Sequence, residues 1–575
     1  MENNYGLLLV WLFPMLGGII GFFLGKKNKS TRNDWIDIVM FVECVMLACM
    51  GYEIVKEWSV LSLSFDDILG FGLYFTIDRI RLLLCTVTVV VFGVVSQFMK
   101  ESIKNEKGSN RFYLLYMCLL SMVLGAFLTP NFFDFLVFMA FAMLLAYPLI
   151  IHRQDKTVLR NANIYLAFTV AGIIAITIGL VLVLGYMGSI NVNYIGVVTS
   201  SYVLLNGGSR GILIGSCIMF LGFAVFAGLF PLQFQVTRGN SHGLIELSSV
   251  LGGLVSKLGL FGILMLAVNV FQDNSIFGKI LLVMGIATGI WGLFITFTST
   301  DIRKILMGLD VAVNGFNALS ISLMVLGGES NAYAIRSSLY ILVISSVSLM
   351  VLYMVALELV RKIKTYEIKG LIASGKGNKL LAVACLLACA SLGGVPGTAG
   401  FLAHSLLYKS ILTTVGWKWL LVVYTIQWAF LMTALARVFM KLFVSKKDET
   451  IRILTTEEEF QAQGEKEPPA DYSEASNRNP YRFGEILLVL TGLVQVIFGI
   501  VPFYTVDRLS VAVNEFFHGK ALEDAISYYT VDVMAGFVIA VVLCVLLYLN
   551  LVHGVLLRAI RNKKNKTLQE KQGNN

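Results

Sequence analysis

The stretch LSSVLGGLVSKLGLFGIL, residues 247–264, is a run of apolar and small side chains with one lysine, Lys257, near its middle. A charged side chain at the centre of a bilayer costs roughly 2.5–3.5 kcal/mol on insertion scales and more in simulations. About 20 Å of helix separates Lys257 from each end of its apolar span, which is too far for its ammonium group to reach water. The sequence therefore predicts that this lysine either bonds to a polar group for packing or takes part in moving ions.

The composition of the whole chain is that of a membrane protein. Of the 575 residues, 57% are hydrophobic and 14% are charged, against roughly 25% charged in a soluble domain. Apolar segments of about 20 residues, long enough to cross about 30 Å of hydrocarbon as helix, recur about fifteen times. We therefore predict an all-α polytopic membrane protein with about 14–15 transmembrane helices.

The basic residues predict the orientation of the chain. With the N-terminus outside and the spans alternating, roughly 33 of the 45 lysines and arginines fall on the cytoplasmic side, as the positive-inside rule expects. The bases lie in loops and not on one face, so nucleic acid is not an expected partner. We predict a multi-pass protein of a bacterial or archaeal cell membrane, surrounded by lipid, with the C-terminus in the cytoplasm.

The eight cysteines all lie within apolar spans, where thiols behave as small hydrophobic groups. No histidine or further cysteine gives them the spacing of a metal site. The chain also has no glycine-rich dinucleotide loop after a strand. We therefore expect no metal, no bound cofactor and no catalytic centre of its own, so that partner subunits would carry any electrons.

Glycine and proline interrupt two of the apolar spans. The seventh contains GLFPLQF, residues 228–234, and the twelfth contains GGVPGTAGF, residues 393–401. A broken helix leaves backbone groups that only protein or a water-filled cavity can satisfy. Two breaks five helices apart have opposite directions, and paired broken helices in inverted repeats point to an ion path. The residues predicted to form the breaks are Pro231, Pro396, Gly397 and Gly400.

Two further polar residues lie deep in the second half of the chain. His404 follows the second break, and an imidazole takes up and releases protons near pH 7; a structural histidine bonded to a neighbour is the alternative. Asp310 lies two turns into the tenth span and is expected to pair with a lysine or arginine of a neighbouring helix. Both are candidates for ion translocation.

Four other charged residues within the spans are weaker candidates. Glu246, at the cytoplasmic start of the eighth span, is interpreted first as a partly solvated group that stabilises the N-terminus of its helix. Lys409 is expected near the outer surface, with a lesser role. Glu43 and Arg437 are expected to contact a neighbouring subunit, unless Arg437 only extends its head group to the interface.

Four segments, in this order, resemble the antiporter-like subunits of respiratory complex I, a family shared with Mrp sodium/proton antiporters and energy-converting membrane-bound hydrogenases. The resemblance covers roughly residues 75–445. The segments are YFTIDRIRLLLCTVTVVVFGVV (74–95), FPLQFQVTRGNSHGLIELSSVLGGLVSKLGLFGIL (230–264), STDIRKILMGLDVAVNGFNAL (299–319) and ASLGGVPGTAGFLAHSLLYKSIL (390–412).

The resemblance implies two inverted five-helix repeats, helices 4 to 8 and 9 to 13, with helices 7 and 12 discontinuous. It divides the chain into N-terminal helices 1 to 3, a first repeat, a second repeat, a cytoplasmic linker, and C-terminal helices with a basic tail. The corresponding boundaries are 1–110, 111–272, 273–444, 445–482 and 483–575.

The resemblance also implies a polar axis, with a glutamate on helix 5, a lysine on helix 7, a lysine or histidine on helix 8 and a lysine or glutamate on helix 12. Lys257 matches the helix 8 position and His404 matches the helix 12 position. Met143, or its neighbour Ala142, stands where the glutamate is expected, and Phe226 stands where the helix 7 lysine is expected. Since Met and Phe can neither titrate nor attract a charge, the first half of the axis is altered. Lys257 and His404 remain available for a shorter relay that uses Asp310 or Glu246.

The resulting hypothesis is an antiporter-like subunit that contributes to proton or sodium translocation, coupled to redox chemistry or antiport in partner subunits. The expected partners are other membrane subunits, including homologous antiporter-like ones, and peripheral redox or enzymatic subunits. Two alternatives stay open: a non-pumping structural subunit of the same fold, and an ion-coupled partner of a cytoplasmic enzyme, as in inorganic-carbon accumulation systems.

Overall fold

The computed structural model describes most of the chain. Residues 188–209, 446–481 of the predicted linker and 550–575 of the predicted basic tail are among those outside the described part. The described residues are 4–57, 60–65, 72–104, 106, 108–153, 156–187, 210–239, 243–271, 274–327, 332–414, 416–445, 482–500 and 530–549.

The described residues are almost entirely helical. Within the described part of the chain, thirteen helices are long and apolar enough to cross a membrane, and two further apolar spans are each made of two shorter helices, in agreement with the predicted 14–15 spans. In chain order they are α1 (Gly6–Lys27), α2 (Lys29–Glu57), α3 (Arg79–Ser102), α4 (Ser109–Leu128), α5 (Phe132–Ile150), α6 (Lys156–Met187), α7a (Arg210–Ala227), α7b (Phe234–Gly239), α8 (Ile245–Asn269), α9 (Ser275–Thr298), α10 (Ile302–Gly327), α11 (Ala332–Ile363), α12a (Lys379–Gly393), α12b (Ala399–Thr413), α13 (Leu420–Phe439), α14 (Arg482–Ile500) and α15 (Val531–Leu549).

A short hairpin connects α2 to α3. Strands β1 (Leu61–Ser64) and β2 (Tyr74–Ile77) pair antiparallel. Phe75 of the second strand contacts the rings of Trp11 and Phe138, on α1 and α5. Apolar and polar residues alternate along this connection, the pattern of strands with one buried face.

Asp or Asn side chains fix the start of three helices. Asp78 accepts a hydrogen bond from the Arg81 amide at the start of α3. Asn274 and Asn378 do the same for amides in the first turns of α9 and α12a. Such caps satisfy amides that have no partner within the helix, so these helices begin at defined residues.

Backbone geometry explains the break in the twelfth span. Gly394 and Gly397 have φ of 71° and 86°, in the left-handed region that glycine adopts easily. A Cβ on Gly400 would lie 1.6 Å from the carbonyl oxygen of Ser391. Only a glycine allows α12b to begin this close to the end of α12a, so the discontinuity predicted from these residues is confirmed.

Close helix packing builds the centre of the molecule. Between α9 and α10, a Cβ on Gly292 would lie 2.3 Å from the amide nitrogen of Ala312, and small residues of this kind let membrane helices approach closely. Over 18-residue stretches of these helices, 100% of the residues are buried in α8 and 94% in α10, against 33% in α1, α2, α6 and α14. Lys257 therefore lies on a central helix, with the lipid-facing helices around it.

Candidate ion-translocation site

Lys257 makes an ion pair inside the protein. Its Nζ donates to Oδ1 of Asp310 at 2.7 Å, and both side chains are buried. The same ammonium group donates to Oδ1 of Asn314. Asp310 and Asn314 are four residues apart on α10, a spacing that places both on one helix face. The polar partners of Lys257, which the sequence left open, are therefore Asp310 and Asn314 on one face of α10.

The break in the seventh span is satisfied by side chains from neighbouring helices. Nδ2 of Asn314 donates to the carbonyl oxygen of Ala227, the last residue of α7a, at 3.0 Å. Oγ1 of Thr288, on α9, accepts from the amide of Phe230 at 2.8 Å. The exposed backbone of the break is therefore tied to α9 and α10, and through Asn314 to the ion pair.

The ion pair keeps unused hydrogen-bonding capacity. Oδ2 of Asp310 and the hydroxyl of Tyr353, on α11, are both buried without a partner among the described residues. Buried polar groups without protein partners are typical sites for internal water, so Oδ2 of Asp310 can accept a further hydrogen bond.

His404 lies at the second break. Its Nε2 is 3.3 Å from the carbonyl oxygen of Leu392, near the end of α12a. Because a carbonyl only accepts, Nε2 carries the hydrogen, and Nδ1 accepts from the Tyr424 hydroxyl at 2.7 Å. Trp428 stacks on the imidazole, with ring centroids 5.0 Å apart, and donates to the carbonyl of Gly393 at 2.8 Å. A titratable group thus holds the backbone of this break directly.

A small cavity lies beside His404, where α12a, α12b, α10 and α11 meet. It has room for about one water molecule. His404 and Ser391 line it on one side, and Val313 and Phe316 of α10 line it on the other. The Ser391 hydroxyl has no partner within the described part of the chain. The imidazole of His404 therefore shares this cavity with two side chains of α10, the helix that also carries Asp310 and Asn314.

Glu246 belongs to a separate ion cluster. It lies in the first turn of α8, as expected, but the expectation that it is partly solvated is wrong. It is 1% exposed, accepts from the Ser102 hydroxyl, and its Oε1 is 3.5 Å from Nη2 of Arg361. Arg361 also contacts Glu358 at 2.6 Å and Glu101 at 3.5 Å. Sequence reasoning counted Arg361 only among the loop bases and so missed this cluster.

The remaining charged candidates lie away from this site. Lys409 is partly exposed and interacts electrostatically with Asp532 at the start of α15. Arg437 donates to the carbonyl of Phe297, near the end of α9, at 3.0 Å. Glu43 is 0% exposed, so the expected contact with a neighbouring subunit is wrong for this residue.

Met143 and Phe226 are both buried. The Tyr165 hydroxyl donates to the backbone carbonyl of Met143 at 2.9 Å, and Nε2 of Gln235 is 3.5 Å from its sulfur. The ring of Phe226 packs against Gly172 of α6, where a Cβ would approach to 2.8 Å. These positions therefore hold neutral, well-packed side chains in place of charges.

Comparison with known proteins agrees with this fold. The family described as "NADH:quinone oxidoreductase/Mrp antiporter, TM" matches residues 129–431, more than half of the chain, and the chain belongs to this family. It is 25% identical over 404 residues to an Na(+)/H(+) antiporter subunit of Alkalihalophilus pseudofirmus, covering 69% of the chain and 79% of that protein. It is 24% identical over 422 residues to an NADH-quinone oxidoreductase subunit of Buchnera aphidicola, covering 69% and 80%.

A solved structure shows the same fold. The archaeal membrane-bound sulfane sulfur reductase complex, a respiratory membrane complex, contains a chain that superposes with a TM-score of 0.75 at 16% identity, covering 90% of this chain and 98% of that one. The protein is therefore a multi-pass, antiporter-like membrane subunit of the type found in Mrp and complex I assemblies.

Proposed function

We propose that this chain conducts protons or sodium ions within a multisubunit membrane complex, along a relay that includes Lys257, Asp310 and His404. The observation that carries the proposal is the Lys257–Asp310 ion pair, which is fully buried and bonded through Asn314 to a broken helix. Removing two charges from water costs several kcal/mol per ion. Ionisable groups at this depth in a membrane protein mark ion and proton pathways.

The relay works by exchange of partners. A proton or cation that reaches Asp310 weakens its attraction for Lys257, because the carboxylate charge that held the ammonium group is compensated. The unpartnered Oδ2 of Asp310 is the atom available for that arriving charge. A water in the cavity beside Val313 then extends the path toward His404, which exchanges a proton through Nδ1 with the Tyr424 hydroxyl.

The proposed relay is confined to α8, α10 and the helices that follow. Met143 and Phe226 supply no charge to the first half, so Lys257 takes its electrostatic partner from α10. The neutral pair is also the observation that favours the second candidate function, a structural subunit that does not transport ions. Transport measurements separate the two.

The relatives' names supply the proposed partners and surroundings. They describe antiporter and respiratory complexes, so we propose that this chain assembles with other membrane subunits, homologous antiporter-like ones among them, and with peripheral redox or enzymatic subunits. The excess of basic residues in alternate loops supports an outside N-terminus and a cytoplasmic C-terminus. The two inverted repeats, with the boundaries given above, are part of the same proposal.

The test is ion transport by the assembled complex in proteoliposomes. We expect Lys257→Ala and His404→Ala each to lower the initial rate at least about tenfold, equivalent to about 1.4 kcal/mol, with the subunits still assembled. Arg437→Ala is the matched control, since the hydrogen bond of Arg437 within the described part of the chain goes to the end of α9, and it is expected to retain transport. Unchanged rates in both Lys257→Ala and His404→Ala would establish the structural subunit instead.

A further inference from the structure

Asn314 joins the ion pair to the break in α7, and its two bonds fix how its amide is turned. An ammonium group only donates and a backbone carbonyl only accepts. Oδ1 must therefore face Lys257, and Nδ2 must face the carbonyl of Ala227, 3.0 Å away. The amide cannot rotate by half a turn without losing both bonds, so the position of Lys257 and the cap on α7a depend on each other.

The Ala227 carbonyl has few other ways to be satisfied. The chain leaves the helical path after Ala227, and α7b begins only at Phe234. Gly259 of α8 packs directly against this point, where a Cβ would lie 2.4 Å from the amide nitrogen of Ala227. An unsatisfied buried carbonyl costs roughly 1–3 kcal/mol, so loss of the Asn314 bond favours rearrangement of the break.

We propose that Asn314 transmits the state of Lys257 to the break in α7. When Lys257 exchanges its partner, Oδ1 of Asn314 loses its donor, the side chain relaxes, and the carbonyl of Ala227 is released. This inference rests on the proposed function, because it gives the relay a moving element. Asn314 acts through Lys257 and is a positioning residue.

The second break offers an internal parallel. There, Nε2 of His404 bonds the carbonyl of Leu392 itself. In each broken helix, a carbonyl near the end of the first half accepts a hydrogen bond from a side chain. After α12a the donor is the ionisable His404 itself, and after α7a the donor is Asn314, which is bonded to the ionisable Lys257. Coupling at both breaks follows from the same chemistry, in which a change of proton or partner alters one hydrogen bond to the backbone.

Thr288 provides a matched control on the same break. Its hydroxyl bonds the amide of Phe230 and the carbonyl of Met284, and none of its hydrogen bonds within the described part of the chain reaches Lys257 or Asp310. Thr288→Val therefore loosens the break without touching the ion pair. Its effect on exchange therefore measures the contribution of a contact that is purely structural.

The experiment is hydrogen–deuterium exchange of the peptide spanning residues 226–239 in the assembled complex. The ion pair is neutralised as Lys257→Met with Asp310→Asn, so that neither charge remains buried alone. We expect the neutralised pair and Asn314→Leu each to speed exchange of this peptide about threefold to tenfold. Combining Asn314→Leu with the neutralised pair should speed exchange no more than Asn314→Leu alone, because both changes act through the same bond. The increases in exchange rate caused by Thr288→Val and by the neutralised pair should instead multiply.

Multiplicative effects of Asn314→Leu and the neutralised pair, or no change with Asn314→Leu, would overturn the inference. Asn314→Asp serves if the leucine variant does not assemble. It keeps an acceptor for Lys257 and, as a carboxylate, lacks the donor for Ala227, so faster exchange is expected again. Transport is measured in parallel. If Lys257→Ala abolishes transport but Asn314→Leu does not change exchange at the break, the coupling fails and the proposed function stands. If transport survives Lys257→Ala, the proposed function itself fails.

Discussion

At the scale of a single residue, Glu43 illustrates the cost of burying a carboxyl group that has no partner among the described residues. It is fully buried on α2, and neither carboxyl oxygen has a partner among the described residues. An unsatisfied polar group of this kind costs roughly 1–3 kcal/mol. Its surroundings contrast with those of Asp310, where lysine compensates the charge.

Glu43→Met is therefore expected to raise stability. Methionine fills a similar volume without a polar group to bury, so the thermal midpoint of the purified protein should rise, by the equivalent of about 1–3 kcal/mol. Glu43→Gln keeps the polar cost and should give little gain. A fall in the midpoint with Glu43→Met would show that this carboxyl has a partner or a bound ion in the assembled protein.

Glu106 gives a prediction for pH. Burial acts to raise the pKa of this loop carboxyl, but hydrogen bonds and charges from His152 and Arg153 outweigh it and hold the pKa below its ordinary value. The Arg153 contact is 2.6 Å and the His152 contact 3.0 Å. With a folded pKa below the unfolded one, the stabilisation is present at neutral pH and lost as pH falls through the folded value.

We expect Glu106→Gln to lower the free energy of unfolding by about 1 kcal/mol at neutral pH. The difference from wild type should shrink once the pH falls below the ordinary glutamate pKa of about 4.3. Thermal melts of both proteins across this range measure it. A difference that stays constant with pH would mean that the ion pairs contribute nothing.

At the residue scale, the sequence identified the candidate functional side chains more readily than the contacts between them. Lys257, Asp310 and His404 stood out because charge and imidazole are rare in apolar spans. The pairing of Lys257 with Asp310 depends on the approach of α8 to α10, which no local pattern encodes. Asn314 was missed, although its spacing of four from Asp310 places both on one helix face and was a usable signal.

At the scale of elements, glycine contacts set where the helices meet. Gly259 lets α8 reach the end of α7a, because a Cβ would lie 2.4 Å from the backbone nitrogen of Ala227. Gly93 of α3 is the opposite case, since no atom of the described residues lies within 4 Å of its Cβ position. The two residues allow the same substitution to be compared in tight and open surroundings.

Gly259→Ala is expected to destabilise the protein by about 1–3 kcal/mol, as overpacking does, and to shift the break that Asn314 caps. Gly93→Ala is expected to be neutral or stabilising by up to about 1 kcal/mol, since alanine is the better helix former. Thermal stability of the two variants, measured side by side, checks this. Equal effects would argue against the close contact between α8 and α7a.

The breaks themselves were predictable, because Gly and Pro leave a local signature in an apolar span. What satisfies the broken backbone was not predictable, since Thr288, Asn314 and Trp428 come from helices distant in sequence. The same holds for the partners of Arg361 on α3 and α8, whereas Glu358 is a neighbour on the same helix. Element type and number follow from local pattern, whereas these contacts arise only when the bundle is assembled.

At the scale of the whole molecule, hydropathy predicted fifteen spans, and the positive-inside rule then predicts an inside C-terminus. Fusion of a reporter active only in the cytoplasm to the C-terminus is expected to give full signal, and the same reporter at the N-terminus to give none. The opposite pattern would reverse the predicted orientation. It would leave the Lys257 site unchanged, because that site depends on helix packing alone.

The central claim is that the charge of Lys257 and its pairing with Asp310 are needed for transport. The most direct measurement is the initial transport rate of the assembled complex carrying Lys257→Met with Asp310→Asn, compared with wild type at equal assembly. Neutralising both partners together leaves no buried charge unpaired, so the fold should be kept. We predict that transport falls at least about tenfold, about 1.4 kcal/mol, and a rate equal to that of wild type would contradict the account.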